Sequence, residues 1–424
     1  MLAVFGFLIA LFAGVPIFTA LLLAALLFMF ESGNGVLVSE VVIQFDGVLG
    51  QSGLLAVPLF MLAGELMNRG GLTQRLIACA GLFVGGLRGG LAYVNLLANA
   101  MAASILGSAT AQIAVMSRLM IPEMEKKGYD KNFAAAVTVS GGLLGPVIPP
   151  SMLMIIYGVI AYQPVSALFL AGIVPGVLIV AAFALVIAVI GWTHGLPSGS
   201  RAVRQRVRAD LLAGMIPGCI PVAVILLIAT GVMTPTEAGA VAAVLAFAIG
   251  TVLYRRLKWR DLPGIFARVC TGTAAITGLI AAASLFGWTL TFEGIPDQIV
   301  AFFVSLTDSK TIFLLTVYLL VVVLGMFLES ISVMIVMVPL LLPAVRSFGI
   351  DPVHFGVVVS LATLVGLVTP PVGPGLFIAM QSANLKMMPL FRAMIPFLAA
   401  MLFCMLLIAL VPALSLWLPG VWLK

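Results

Sequence analysis

Stretches such as residues 4–30, 173–192, 238–253 and 397–418 run almost without charge for lengths that reach or approach the ~20 residues a helix needs to cross a bilayer. That feature removes most soluble folds, because in hydrocarbon only helices and closed barrels satisfy every backbone N–H and C=O. With 63% of the 424 residues hydrophobic and 8% charged, little polar surface remains to clothe a water-soluble domain. The chain reads as an all-α polytopic membrane protein. Its first stretch exceeds the about 7–15 residues of a secretory h-region, has no Lys or Arg before it and no small-residue cleavage site after it, and is read as a mature span.

A net charge of +6 does not point to nucleic acid, because the basic residues sit in short loops between apolar spans rather than on one extended face. They serve orientation instead. The clusters Arg69/Arg75/Arg88, Arg118/Lys126/Lys127/Lys131, Arg201/Arg204/Arg206/Arg208, Arg255/Arg256/Lys258/Arg260/Arg268 and Lys386/Arg392 hold 18 of the 21 Lys and Arg, and the positive-inside rule puts them in the cytoplasm. The N-terminus is then cytoplasmic and the C-terminus external. Cys79, Cys219, Cys270 and Cys404 lie in apolar segments without CxxC spacing, which suggests neither a disulfide framework nor a zinc site. His194 and His354 read as boundary residues.

Charge assignment forces a contradiction on the apolar stretch 91–121, which lies between two loops that both belong in the cytoplasm. It must enter and leave on one side, as a re-entrant hairpin whose tip holds Ser104, Gly107, Ser108 and Thr110 between arms of about 14 residues, ~21 Å each. A second hairpin, 312–344, enters from outside, with Gly325, Glu329, Ser330 and Ser332 at its centre. Downstream of each comes an interrupted helix, broken at Gly145/Pro149/Pro150 and at Gly366/Pro370/Pro371.

These features are one repeat. Residues 104–150 match 325–371 at a constant offset of 221 without a gap, with 12 of 47 positions identical, among them Pro122/Pro343, Gly128/Gly349, Asp130/Asp351 and Gly145/Gly366. Both copies share an element order while charge puts their hairpins on opposite faces, which is an inverted-topology repeat of the kind secondary transporters use. A tip facing a broken helix offers carbonyl and hydroxyl oxygens, so two sodium sites are expected: Ser104, Gly145, Ile148 and Pro150 in the first copy; Gly325, Gly366, Thr369 and Val372 in the second. Organic anions would be held by Ser108, Thr110, Ser330 and Ser332 with the free amides of the helices that begin at the tips. Each residue has a plainer reading too: Gly-Pro clusters kink membrane helices, and serines bond to their own helix backbone. Glu329, the one carboxylate placed deep in the membrane, reads either as a sodium, proton or substrate partner or as a structural lock on its tip.

Pro58-Leu-Phe-Met-Leu-Ala-Gly-Glu65-Leu-Met, Gly107-Ser-Ala-Thr110-Ala, Gly145-Pro-Val-Ile-Pro-Pro150-Ser and Thr369-Pro-Pro-Val-Gly373 resemble the large M-type membrane subunit of tripartite ATP-independent periplasmic (TRAP) transporters, over essentially the whole chain. The resemblance implies a bacterial inner-membrane protein and a sodium-coupled elevator. It also implies a small four-helix Q-type membrane subunit, here a separate polypeptide, and a P-type periplasmic binding protein delivering a carboxylate such as a C4-dicarboxylate or sialic acid. In that scheme residues 1–68 and 165–268 form scaffold spans. Segments 69–164 and 269–388 each carry an arm, a hairpin and a broken helix of the transport domain, and 389–424 form a C-terminal span. The arms are expected near 72–87 and 296–306. The nearest rival is a stand-alone divalent-anion/sodium symporter with no soluble partner. An intramembrane enzyme fits less well, since no HExxH, GxSxG or paired-Asp arrangement occurs.

Overall fold

The computed structural model describes residues 5–7, 9–10, 13–31, 36–197 and 207–423, and the regular elements along them are helical. Arg201, Arg204, Arg206 and residues 4, 8, 11 and 12 of the first apolar stretch lie outside the described residues. In chain order the α-helices are α1 (Ile17–Glu31), α2 (Val36–Leu49), α3 (Ala56–Arg69), α4 (Leu72–Val84), α5 (Gly90–Leu106), α6 (Ala109–Lys126), α7 (Lys131–Gly142), α8 (Met152–Ala161), α9 (Val165–His194) and α10 (Val207–Ala229). They continue with α11 (Pro235–Ala248), α12 (Leu262–Phe292), α13 (Ile295–Leu306), α14 (Lys310–Gly325), α15 (Ser330–Ser347), α16 (Pro352–Leu367), α17 (Pro374–Ala383), α18 (Met387–Leu410) and α19 (Ala413–Trp422).

Both hairpins and both interrupted helices form where the repeat puts them. Helices α5 and α6 are the arms of the first hairpin, α14 and α15 those of the second, while α7/α8 and α16/α17 are the broken helices. The second arms begin at Ala109 and Ser330 and end at Lys126 and Ser347, the same 221-residue offset at both ends. Local chemistry explains the shared boundary. Gly128 (φ +83°) and Gly349 (φ +61°) take the left-handed backbone that ends each arm. Two residues later Asp130 accepts from the Phe133 amide at 2.8 Å and Asp351 from the Val353 amide at 2.7 Å, capping the next helix. The breaks carry cis peptides at Pro149–Pro150 and Pro370–Pro371.

Two apolar stretches read as single spans are divided. Gly14 (φ +78°) and Pro16 interrupt the first, so α1 begins only at Ile17. The C-terminal one stops at Leu410 and resumes as α19 after Pro412, which has no N–H with which to continue the ladder. Among the described residues five helices are long and apolar enough to cross a membrane, Val165–Thr193, Pro235–Leu253, Trp259–Phe292, Ser330–Ser347 and Met387–Leu410, and one of these is a hairpin arm.

The packing is reciprocal between the repeats. Arm α6 lies against α17 of the other repeat, and arm α15 lies against α8; likewise α9 packs on α16 and α18 on α7. A single pseudo-two-fold relation accounts for all four pairs. The broken helices sit at the centre, with Phe133–Gly142 and Val353–Leu367 buried, and the Tyr157 hydroxyl of one donates to the Pro352 carbonyl of the other. Helices buried on all sides read as apolar throughout, which is why periodicity alone does not distinguish them from spans. Outside this body α3 packs against α11, and α12 against α1, α2 and α3. Helices α4 and α13, in the segments expected to be connecting arms, each follow a left-handed glycine, Gly71 and Gly294. Phe30, Trp192, Val252 and Phe403 stay exposed on the outer surface, as side chains facing acyl chains do.

Candidate functional site

Hairpin tips reach the middle of the molecule because their arms stop there, the first at Gly107 (φ +60°) and the second in the turn after Gly325. Helices α6 and α15 therefore begin next to each other. Ser108 and Glu329 stand at their N-cap positions, and neither side chain caps its own helix, so amides of both first turns remain for an anion. Thr110 Oγ1 lies 3.1 Å from Ser108 Oγ and donates to Glu329 Oε1 at 3.3 Å, joining the two tips. Ser330 lines the small chamber between them, and its buried hydroxyl has no hydrogen-bond partner. Ser332 is buried a half-turn further along α15 and lines neither this chamber nor the larger cavity beside it.

That larger cavity, about 390 Å³, separates the tips from the outer helices. One wall carries Ser108, Glu329 and Ile331; the opposite wall carries Phe60 and Glu65 of α3 and Arg268 and Gly272 of α12. Arg268 Nε donates to Glu65 Oε1 at 2.7 Å, and Arg69 Nε approaches the same oxygen at 3.5 Å. Two guanidiniums thus share one carboxylate on the outer helices, and of these Arg268 and Glu65 line the cavity opposite Glu329. Arg268, which charge counting put in a loop, is six residues into a helix. Its spacing from Glu65 in sequence gave no signal of the pair.

The expected sodium ligands fall at two junctions between tip and break. In the second copy Gly325 and Gly366 meet backbone to backbone: a Cβ on Gly366 would lie 2.5 Å from the Val322 carbonyl oxygen and 2.6 Å from Gly325 C and Cα. The Gly373 amide donates to Met326 O at 3.0 Å across the same junction, and the Thr369 hydroxyl donates to Val365 O at 2.6 Å, leaving its lone pairs as acceptors. Val372 lies within the break, between Pro371 and Gly373. In the first copy Gly145 faces the Ser108 backbone, while Ser104 and Pro150 line one water-sized cavity of about 20 Å³ with Gly107. Ser104 donates to Met101 O at 3.0 Å, and the Ile148 side chain packs toward Gly176 of α9.

Only the first copy adds a buried polar network, which motif reading missed. Asn95 bonds Thr138 at 2.7 Å, Asn99 bonds Asn95, and Gln112 Nε2 donates to Asn99 O at 2.7 Å. Gln112 Oε1 is left without a partner next to Gly145. The second copy has Val333 and Val359 where the first has Gln112 and Thr138. Among the described residues no group of three His, Cys, Asp or Glu gathers to hold a metal, so a cation at either junction would rest on carbonyl, amide and hydroxyl oxygens.

Residues 4–414 match the family model for the tripartite ATP-independent periplasmic transporter, DctM component. The chain is 33% identical over 421 residues to the sialic acid TRAP transporter large permease protein SiaM of Vibrio cholerae, covering 99% of this chain and 98% of that one. It is 34% identical over 370 residues to the C4-dicarboxylate TRAP transporter large permease protein DctM of Pseudomonas aeruginosa, with 87% and 86% covered. The solved structure of the Alcanivorax borkumensis YdaH transporter shares its fold, with a TM-score of 0.68 at 14% identity over 91% of this chain and 89% of that one.

Proposed function

The chain belongs to the DctM component family of tripartite ATP-independent periplasmic transporters, a multi-pass membrane subunit of a transporter and not an enzyme, and from that premise we propose how it transports. It imports a small organic acid, a carboxylate such as a C4-dicarboxylate or sialic acid, across the bacterial inner membrane with sodium as the co-transported ion. The observation that carries this reading is the cavity where two helix N-termini, Ser108 and Glu329, the latter bonded by Thr110, face the Arg268–Glu65 pair of the outer helices. Helix dipoles and the Ser108 hydroxyl on one side, with Glu329 engaged by Thr110, and the Arg268 guanidinium on the other suit a carboxylate. The volume lies in the ordinary range for small-ligand sites, roughly 300–1,000 Å³.

Sodium has oxygen-lined places at the two junctions, Ser104, Gly145, Ile148 and Pro150 in one and Gly325, Gly366, Thr369 and Val372 in the other. A neutral oxygen set favours a monovalent ion without burying a fixed charge. The body of hairpins and broken helices moves against the outer helices as an elevator, since the cavity lies along the boundary between the two. In this reading the opening is on the cytoplasmic side, with the N-terminus cytoplasmic and the C-terminus periplasmic, and the basic ends of α3 and α12 support it. A small Q-type subunit and a P-type binding protein complete the system.

Uptake of radiolabelled organic acids into proteoliposomes holding this chain and its small subunit tests the reading. Uptake is expected to require both the binding protein and an inward sodium gradient. Transport by this chain alone would instead indicate a stand-alone symporter, and uptake indifferent to sodium would remove both ion sites.

A further inference from the structure

A second cavity, about 280 Å³, opens at the other end of the same boundary. It is lined by Gln44, Val48 and Gln51, by Val159, Ile160 and Tyr162 at the end of α8, by Ala283, Ser284, Gly287 and Trp288 of α12, and by Ile335 and Pro339 of α15, together with other residues. On the outer helices its lining repeats part of that of the 390 Å³ cavity. Phe60, Met61, Gly64 and Glu65 correspond to Ala283, Ser284, Gly287 and Trp288 at an offset of 223, the offset that also relates the left-handed glycines Gly71 and Gly294 before the arms. Arg268, Gly272 and Ala275 have the same i, i+4, i+7 spacing as Gln44, Val48 and Gln51.

We infer that this second cavity is the outer substrate entrance in its closed form, and that Gly287, Trp288 and Gln44 do there what Gly64, Glu65 and Arg268 do at the inner opening. This rests on the elevator reading proposed above. Gly64 shows why a glycine is needed: a Cβ there would sit 2.5 Å from the Ile105 carbonyl oxygen, so the first tip touches the outer helices only because position 64 lacks a side chain. Its counterpart Gly287 has no such neighbour in this state, since its nearest atom would be Pro339 Cβ at an ordinary 3.4 Å. Its use lies in the other state, when the second tip, with Met326 in the place of Ile105, arrives beside it. The distance is set by the body: Glu329 to Pro339 on α15 and Met152 to Tyr162 on α8 are each ten residues, a rise of ~15 Å, and the tips must travel on that order to reach the outer cavity.

The two openings differ in chemistry. The inner one presents a guanidinium and two carboxylates; the outer one presents amides, hydroxyls and an indole. Entry of the organic acid is therefore governed by hydrogen bonding to Gln44 and Gln51 and by contact with Trp288, and its exit by the Arg268–Glu65 pair.

The test uses the full chain with its partners in proteoliposomes, with Cys79, Cys219, Cys270 and Cys404 replaced. A thiol cross-linker with a spacer probes an inner pair, Ile276→Cys with Ile331→Cys, and an outer pair, Ser284→Cys with Ile331→Cys. The inner pair is expected to react without substrate and the outer pair under a sodium gradient with substrate. Adding Gly287→Ala should cut the outer yield at least tenfold and leave the inner yield unchanged. Gln44→Glu should raise the KM for uptake at least tenfold with Vmax within twofold, whereas Gln44→Asn should not. An outer pair that reacts equally well with Gly287→Ala, or a Gln44→Glu protein with unchanged KM, overturns the assignment while the elevator stands. An outer pair that never reacts overturns the elevator reading, and the assignment with it.

Discussion

Gly145 and Gly366 occupy equivalent positions in the repeat, yet alanine should affect them very differently. A Cβ on Gly366 would meet backbone on the facing hairpin, at 2.5 Å from Val322 O and 2.6 Å from Gly325 C and Cα. Ordinary contact is about 3.5 Å, so the tip must retreat by about 1 Å. Overpacking of this kind costs roughly 1–3 kcal/mol, which a protein of about 5–15 kcal/mol total stability survives. Function is hit harder, because a site displaced by about 1 Å loses on the order of 100-fold. On Gly145 the nearest atom is Gln112 Oε1 at 2.7 Å, the end of a side chain, with the Ser108 backbone at a comfortable 3.4 Å. Gly145→Ala is expected to lose less than tenfold by turning Gln112 aside. The assay is initial sodium-driven uptake in proteoliposomes, with thermal melting in detergent to show that each variant folds. Gly264→Ala, where nothing lies within 4 Å, is the control. Wild-type uptake by Gly366→Ala, or equal losses at both glycines, would refute the claim that the second junction depends on backbone contact.

Arg268→Ala should raise the KM for uptake at least tenfold, and Arg268→Lys should recover part of the loss, because the charge returns without the planar fork. Kinetics at matched binding-protein concentration would show it, and an unchanged KM for Arg268→Ala would separate this residue from the anion. Asp351→Ala removes the acceptor for the Val353 and His354 amides and should cost about 1 kcal/mol, readable as a lower melting temperature. Tyr157→Phe removes the hydrogen bond that joins the two broken helices and should cost about 0.5–1.5 kcal/mol, with the same readout.

Hairpins and breaks were legible in the sequence because their punctuation residues act locally: Gly128 and Gly349 end an arm, and Asp130 and Asp351 start a helix, wherever the rest of the chain goes. What met across the molecule was harder to read. Arg268 counts as one more basic residue near a loop until the fold brings Glu65 to it, and nothing in the neighbourhood of either residue marks the other. Gln112 was hidden for a different reason. It sits in a helix of ordinary composition, and its role depends on Asn99, thirteen residues earlier on the opposing arm. The sequence also offered no reason to divide residues 397–418 beyond Pro412 itself, since an internal proline is tolerated elsewhere, as Pro175 is within α9.

The offset between the two halves has one further meaning. It is 221 from the start of one second arm to the start of the next broken helix, 222 where α9 and α18 begin, and 223 where the arms α4 and α13 begin. The halves have thus drifted in length outside this segment, already where α8 and α17 begin at an offset of 222, and not at all from the second arm to the start of the broken helix. A helix turns by ~100° and advances ~1.5 Å for every residue added, so one insertion there would swing a tip away from the break it must touch. The segment works as a gauge: its length, more than its identities, is what the two copies have kept in common.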